Sequence, residues 1–203
     1  AMSHRLGSGG AAYRHGMQKR PTETAFLGVF RCDALRSVGG WDGTFARNED
    51  AELNQRLRAN GHAVWLDPAL QVEYEPRRTL RGLARQFFDY GWWRRRTIAR
   101  HRVLQARQLA APVLVVTTAA SAVMAATIAP YFLVLPGAYV VVVLGSAATA
   151  EGDHGPLDRL RIAAALVTMH VSWGAGFLVS LARGPWRVDP FVGGRTRGRR
   201  RRS

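Results

Sequence analysis

The sequence predicts part of a mixed α/β domain followed by an α-helical membrane region. Three observations predict it. Short apolar runs between residues 26 and 76 alternate with helical pattern, as strands and helices of a mixed domain do. Composition then changes sharply near residue 108: residues 1–107 are mixed and charged, whereas 109–150 hold no ionisable group except the Tyr131 and Tyr139 phenols. A further apolar run follows from Ile162 to Ala182.

The elements justify this in order. Residues 26–31, FLGVFR, alternate apolar and small side chains and read as a short strand. Asp33 to Val38 makes one or two helical turns, with Asp33 as N-cap and Gly39-Gly40 as the stop. Trp41 and Phe45 flank a turn at Asp42-Gly43 and pack beneath it. A helix then opens on Asn48, a good N-cap, with Glu49, Asp50 and Glu52 in its first turn, where the helix dipole favours negative charge. Leu53 and Leu57, spaced i,i+4, form its buried stripe, and Gly61 ends it. A plain helix start already explains these acids. Residues 62–68, HAVWLDP, and 71–76, QVEYEP, read as two strands, each ended by proline.

Residues 79–93, TLRGLARQFFDYGWW, place Leu80, Leu83, Ala84, Phe87 and Phe88 on one helical face and are followed by three arginines. An amphipathic helix rich in Arg and Trp ahead of a membrane span reads as interfacial. A bilayer-crossing helix needs about 20 apolar residues. The 42 residues from 109 to 150, with Pro130 near their middle, therefore read as two spans meeting at a turn. The run 162–182 is a third candidate, interrupted by His170 and softened by Gly174 and Gly176. His170 is expected to face the bundle interior beside a satisfying neighbour. Trp173 and Trp186 read as packing or interfacial anchors. Two spans would keep the chain ends on one side and three would separate them; both readings stand.

Charge bounds the partners. The chain of 203 residues carries a formal +15, nearly all from arginine, since Lys19 is the sole lysine. Such a balance attracts polyanions, either nucleic acid or anionic lipid. Six arginines crowd the tail GGRTRGRRRRS, but no aromatic residue interleaves them, so bases have no stacking platform. Beside a membrane region the tail reads as a solvated end near lipid headgroups, and nucleic acid is not the expected partner. Arg94, Arg95, Arg96, Arg100, Arg102 and Arg107 precede the first span and mark that side as cytoplasmic. One cysteine, Cys32, excludes an internal disulfide and a cysteine metal centre, and is expected to be a small buried residue.

Five blocks in order, FLGVFR, SVGGWDGTF, RNEDAELNQRLRANG, WLDPALQVEY and RRTLRGLARQFFDYGWWRRR, resemble the C-terminal half of family 2 glycosyltransferases. The resemblance is to the membrane-bound, exopolysaccharide (succinoglycan) type and covers residues 1–107. It implies the GT-A fold and an inverting transfer of sugar from a nucleotide-sugar donor to a lipid-linked or polysaccharide acceptor. It implies a catalytic base in the acidic pair Glu49-Asp50, with Asp50 the preferred residue. Arg85, Gln86, Trp92, Trp93 and Arg94 are the expected substrate-binding residues. The Gln-x-x-Arg-Trp pattern of processive relatives is broken here, since Gln86 is followed by Phe-Phe-Asp-Tyr, which points to single-sugar addition.

The resemblance also implies a divalent cation, Mg or Mn, held by an Asp-x-Asp motif. No Asp-x-Asp occurs in residues 1–203, and GSGG at 7–10 lacks the lysine and preceding strand of a phosphate loop. The cation's ligands are thus not in this chain, which is expected to be the C-terminal portion of a longer enzyme and inactive alone. The expected organisation is half a GT-A domain over 1–76, an interfacial helix and basic linker over 77–107, membrane helices over 108–182 and a basic disordered tail over 183–203. The expected place is the bacterial inner membrane, with the catalytic part cytoplasmic. The alternative is a non-catalytic membrane anchor that binds anionic lipid or partner subunits.

Overall fold

The computed structural model describes residues 18–25, 27–70 and 75–184. Most of it is helical. Two short strands, β1 (Arg20–Pro21) and β2 (Trp65–Leu66), pair antiparallel with Arg20 opposite Leu66. Around them lie α1 (Cys32–Ser37) and α2 (Glu49–Ala59). Then follow α3 (Leu80–His101), α4 (Ala110–Thr127), α5 (Val134–Ala148) and α6 (Pro156–Ala182). Single 3-10 turns at Ala106–Leu109 and Pro130–Leu133 lead into α4 and α5.

Several expectations need correction. Residues 27–31 form no strand, because Leu27 adopts a left-handed backbone (φ 53°) that breaks the extension a ladder needs. The strand expected over 62–68 shrinks to Trp65–Leu66, the only residues that find a partner in β1. Of QVEYEP, residues 71–74 lie outside the described residues, as do 1–17 and the tail from 185, Trp186 included. Helix α1 starts at Cys32, so Asp33 sits in its first turn and pairs with Arg31 instead of capping. Cys32 is exposed. Trp41 is half exposed and meets the Phe30 ring edge-on at 5.7 Å, whereas Phe45 is buried as expected. The stop of α1 holds: Gly39 and Gly40 take φ of 77° and 73°, and Gly40 N–H reaches Leu35 C=O in a Schellman-type closure.

The membrane region matches its reading in outline. Three helical stretches, Ala106–Thr127, Pro130–Ala148 and Pro156–Ala182, are long and apolar enough to cross a bilayer. Pro130 opens the turn between the first two. The third starts at Pro156, ahead of the expected Ile162, and at 27 residues is about 40 Å long.

Helix α3 is fastened along α6 and is not a lone surface helix. Thr79 caps it by accepting the Gly82 N–H at 3.1 Å. Its Leu83 and Phe87 are buried with Met169 of α6, flanked by Tyr90, Ala165 and Trp173. The backbones nearly touch. A Cβ on Gly91 would overlap the Trp173 carbonyl, and one on Gly176 would overlap the carbonyl of Phe88. Gly174 plays the same part toward Ala111 of α4. The glycines that seemed to soften the third run are therefore the sites where helices come together. Further along α6, Ala163 and Leu166 pack on Val143 and Ala147 of α5. Tyr139 and His170 meet across the same two helices, Oη to Nδ1 at 3.0 Å, which gives His170 the interior neighbour expected.

Candidate active site

The acidic helix α2 is built against the C-terminal half of α3. Asn48 sits at the N-cap position in the left-handed region, and its side chain makes no cap. Instead its Nδ2 donates to the Tyr90 carbonyl of α3 at 3.3 Å. Phe45 packs on the Trp93 ring at 5.6 Å. Leu53 and Leu57 are buried, as their spacing predicts.

Of the acidic pair, Glu49 is exposed and Asp50 half-buried. Asp50 Oδ1 accepts the Ala51 N–H at 2.6 Å. Burial pushes the Asp50 carboxyl above the usual carboxylate range; the Ala51 N–H opposes this, the neighbouring Glu49 charge adds to it, and Arg94 opposes it. Location at a helix start alone predicts the reverse, a lowered pKa. Desolvation outweighs the dipole here because the carboxylate is partly covered by protein. A raised pKa makes the ionised form a stronger proton acceptor.

Glu52, one turn into the helix, is wholly buried (0% exposed) and is the hub of an ion network. It receives Arg56 Nε at 2.9 and 3.0 Å and Arg56 Nη2 at 2.7 Å, and lies 3.1 Å from His101 Nε2. Arg100 Nε stands 3.9 Å off, and its Nη2 pairs with the buried Asp42 at 3.2 Å. Burial would raise the Glu52 pKa, but the hydrogen bonds from His101 and Arg56 and their charges outweigh it and hold the carboxyl below its usual range. Asn54, also buried, donates to Thr24 Oγ1 and Ala25 C=O at 3.1 Å each. Sequence reasoning missed Glu52, Asp42, Arg100 and His101 as a unit. The Glu52–Arg56 spacing of i,i+4 was readable, whereas His101 meets Glu52 across 49 positions of chain.

The structure brings Arg94 into the electrostatic reach of Asp50, and Trp93 to the segment that carries it. Trp92 faces elsewhere: it stacks on Phe88 and takes the guanidinium of Arg183, just past α6, at 5.1 Å from its centroid. Gln86 donates Nε2 to Tyr90 Oη at 2.7 Å, and Arg85 is exposed. Arg85 lies nine residues before Arg94, about 13 Å along the helix, so the five expected binding residues do not form one cluster. Among the described residues no three His, Cys, Asp or Glu side chains come together to hold a metal. The described residues therefore do not fit the divalent cation that the resemblance implies.

No family model and no solved structure matches the chain. It is similar to the succinoglycan biosynthesis protein ExoA of Rhizobium meliloti (strain 1021), 34% identical over 179 residues. The match takes in 87% of this chain and 53% of the relative, so the chain spans about half the relative's length.

Proposed function

We propose that the chain shares the exopolysaccharide glycosyltransferase type of this relative and carries the acceptor side and membrane region of an inverting GT-A sugar transferase. The donor is a nucleotide-sugar and the acceptor a lipid-linked or polysaccharide glycan, met at the cytoplasmic face of the bacterial inner membrane. Asp50 is the general base: its carboxylate takes the proton of the acceptor hydroxyl as that oxygen attacks the anomeric carbon and the nucleoside diphosphate leaves. Arg94 faces the same carboxylate, and its cation lies where the departing diphosphate or an acceptor phosphate would gain from a guanidinium.

The observation that carries this reading is the half-buried Asp50 with its pKa pushed up by burial, at the mouth of a helix clamped to a membrane-packed strut. A solvated helix-start acid has no such shift. The domain limits 1–76, 77–107 and 108–182 belong to the same proposal. So does single-sugar addition.

The test is Asp50→Asn in protein that includes the donor-binding region, assayed for sugar transfer from radiolabelled nucleotide-sugars to membrane lipid extracts. Transfer is expected to fall to background while nucleotide-sugar binding stays nearly intact. Retention of most activity would show that Asp50 is not the base. The rival reading, an anchor without catalysis, predicts no transfer by the unaltered protein.

A further inference from the structure

Helices α3 and α5 flank α6 at the same depth but turn different faces outward. Tyr139 of α5 meets His170 of α6 through Oη and Nδ1 at 3.0 Å, and Val143 and Ala147 pack on Ala163 and Leu166. On a neighbouring face of α6, Phe87 of α3 is buried with Met169, the residue next to His170, and Gly91 lies against the Trp173 carbonyl. Phe87 and Tyr139 therefore stand level along α6. The stretch that holds Tyr139, Pro130–Ala148, has 19 residues, no charged side chain, and length and apolarity enough to cross a bilayer. It measures about 28 Å, close to a hydrocarbon core of about 30 Å. Tyr139 is its middle residue, so Phe87 too lies near mid-bilayer depth.

At that depth α5 exposes Val140, Val141 and Val142, a surface suited to lipid tails. Helix α3 exposes charge. Arg81, Arg85 and Asp89 recur every fourth residue on the face opposite Leu83 and Phe87. Both arginines are exposed and Asp89 is half-buried. Arg85 is two residues from Phe87, about 3 Å along the helix. A charged side chain turned toward hydrocarbon loses its hydration, so ionisable groups at such depth face water-filled cavities or substrate paths. An arginine near the midplane is about 15 Å from either surface, too far to snorkel out.

We propose that Arg81, Arg85 and Asp89 line a water-filled furrow that runs along α3 at bilayer depth and opens sideways to lipid. Its occupant is the phosphate-bearing head of an amphiphile whose tail stays in the bilayer. The proposal deepens the transferase reading and rests on it for the occupant's role, since a lipid-linked acceptor is such an amphiphile. Two guanidinium groups one turn apart match the oxygens of a phosphate. The furrow lets that head sink below the interface without shedding its water. Helix α3 also carries Arg94, whose charge acts on Asp50. One helix thus joins lipid entry to the proposed base.

The experiment uses the 203-residue chain in phosphatidylcholine nanodiscs, which leave both membrane faces open to the buffer. Cys32, the sole and exposed cysteine, is the aqueous reference in the unaltered chain. In a Cys32→Ser background, Arg85→Cys, Arg81→Cys and Val141→Cys are each timed against a charged, membrane-impermeant thiosulfonate, and every rate is divided by that of Cys32. Only a hydrated thiol ionises and reacts, so Arg85→Cys is expected within about tenfold of the reference and Val141→Cys at least about a hundredfold below it. Slow labelling at both positions overturns the furrow, because α3 then faces lipid or protein. Fast labelling at both overturns it as well, because α5 then lies outside the bilayer. Should Arg85→Cys lose its helical signal by circular dichroism, Arg81→Cys carries the same test.

The occupant is read from Arg81→Cys, which keeps Arg85 in place. Polyprenyl monophosphate in the disc is expected to slow its labelling about tenfold, the worth of about one charge-assisted contact. Equal slowing by phosphatidylglycerol means that any anionic lipid head enters, and supports the site. No slowing by either lipid overturns the occupant, as does slowing by inorganic phosphate in the buffer with both lipids inert. Labelling involves no sugar transfer, so failure of the furrow and failure of the transferase reading appear in different assays.

Discussion

Gly91→Ala puts the contact between α3 and α6 to a quantitative test. In an ordinary helix this change stabilises by about 1 kcal/mol, because alanine loses less backbone entropy. At Gly91 the added Cβ would overlap the Trp173 carbonyl oxygen, lying 2.8 Å from its carbonyl carbon and 3.0 Å from Phe177 N. Carbon contacts relax near 3.5–4.0 Å, so the helices must part by roughly 1 Å. All of these atoms are backbone inside a helix, and no side-chain rotation relieves them. Parting the helices also opens the layer of Leu83, Phe87 and Met169, each worth about 1.5–3 kcal/mol when fully buried. Losing about half of that layer, less the propensity gain, leaves a net loss of roughly 1–3.5 kcal/mol, close to the usual overpacking range. Gly145→Ala, inside α5 with nothing within 4 Å of its Cβ, is the control and is expected to stabilise by up to about 1 kcal/mol. Both are read as thermal midpoints by circular dichroism in the same detergent. If Gly91→Ala melts at or above the unaltered protein, the close approach of α3 and α6 is not present and the strut argument fails with it.

Other perturbations follow from the site. Glu52→Gln strips the buried charge from Arg56 and His101 and is expected to cost about 3–5 kcal/mol, seen as a lowered melting midpoint at neutral pH. The Glu52 pKa lies below its ordinary 4.5, so its stabilisation is complete above that pH and is lost as pH falls through the lowered folded value. The acid limb of the stability profile is expected to flatten in Glu52→Gln. Asp50 has the opposite sign. Its pKa is raised above 3.8, so the ionised form opposes folding, and stability is lost as pH rises through the folded value. Asp50→Asn is therefore expected to melt no lower than the unaltered protein at neutral pH while abolishing transfer; a lower midpoint would mean that its charge is structural. Cys32, exposed on α1, is expected to react with a maleimide in the folded state as fast as in urea, and protection would mean that α1 is covered.

The contrast between Asp50 and Glu52 shows how far a local pattern reaches. Both read as first-turn acids favoured by the dipole, and for a lone helix that suffices. In the fold one is half-covered and becomes a better proton acceptor, whereas the other is sealed with Arg56 and His101 and becomes an anchor. The burial of each carboxylate, and the His101 contact of Glu52, are not encoded within a turn of the residue itself. Asn48 is similar: its identity marks the helix start, but its amide is drawn to the Tyr90 carbonyl 42 positions away. The strand expected at FLGVFR failed for a related reason, since β pattern shows readiness to pair and not a partner.

Composition and periodicity by themselves determined the three membrane-length helices, the break at Pro130, the Leu53–Leu57 stripe and the glycine stop of α1. Each depends on forces that act within a few residues or on solvent alone: transfer of apolar side chains, a fixed proline φ, the i,i+4 face, the αL freedom of glycine. Tertiary structure alone decided that α3 lies on α6 through Gly91 and Gly176, that Glu52 meets His101, and that Arg96 and Arg183 share one tryptophan. Those contacts join positions 49 to 91 residues apart. Which distant side chains share a low-dielectric space depends on how whole helices pack, a property of the assembled bundle that no single segment carries.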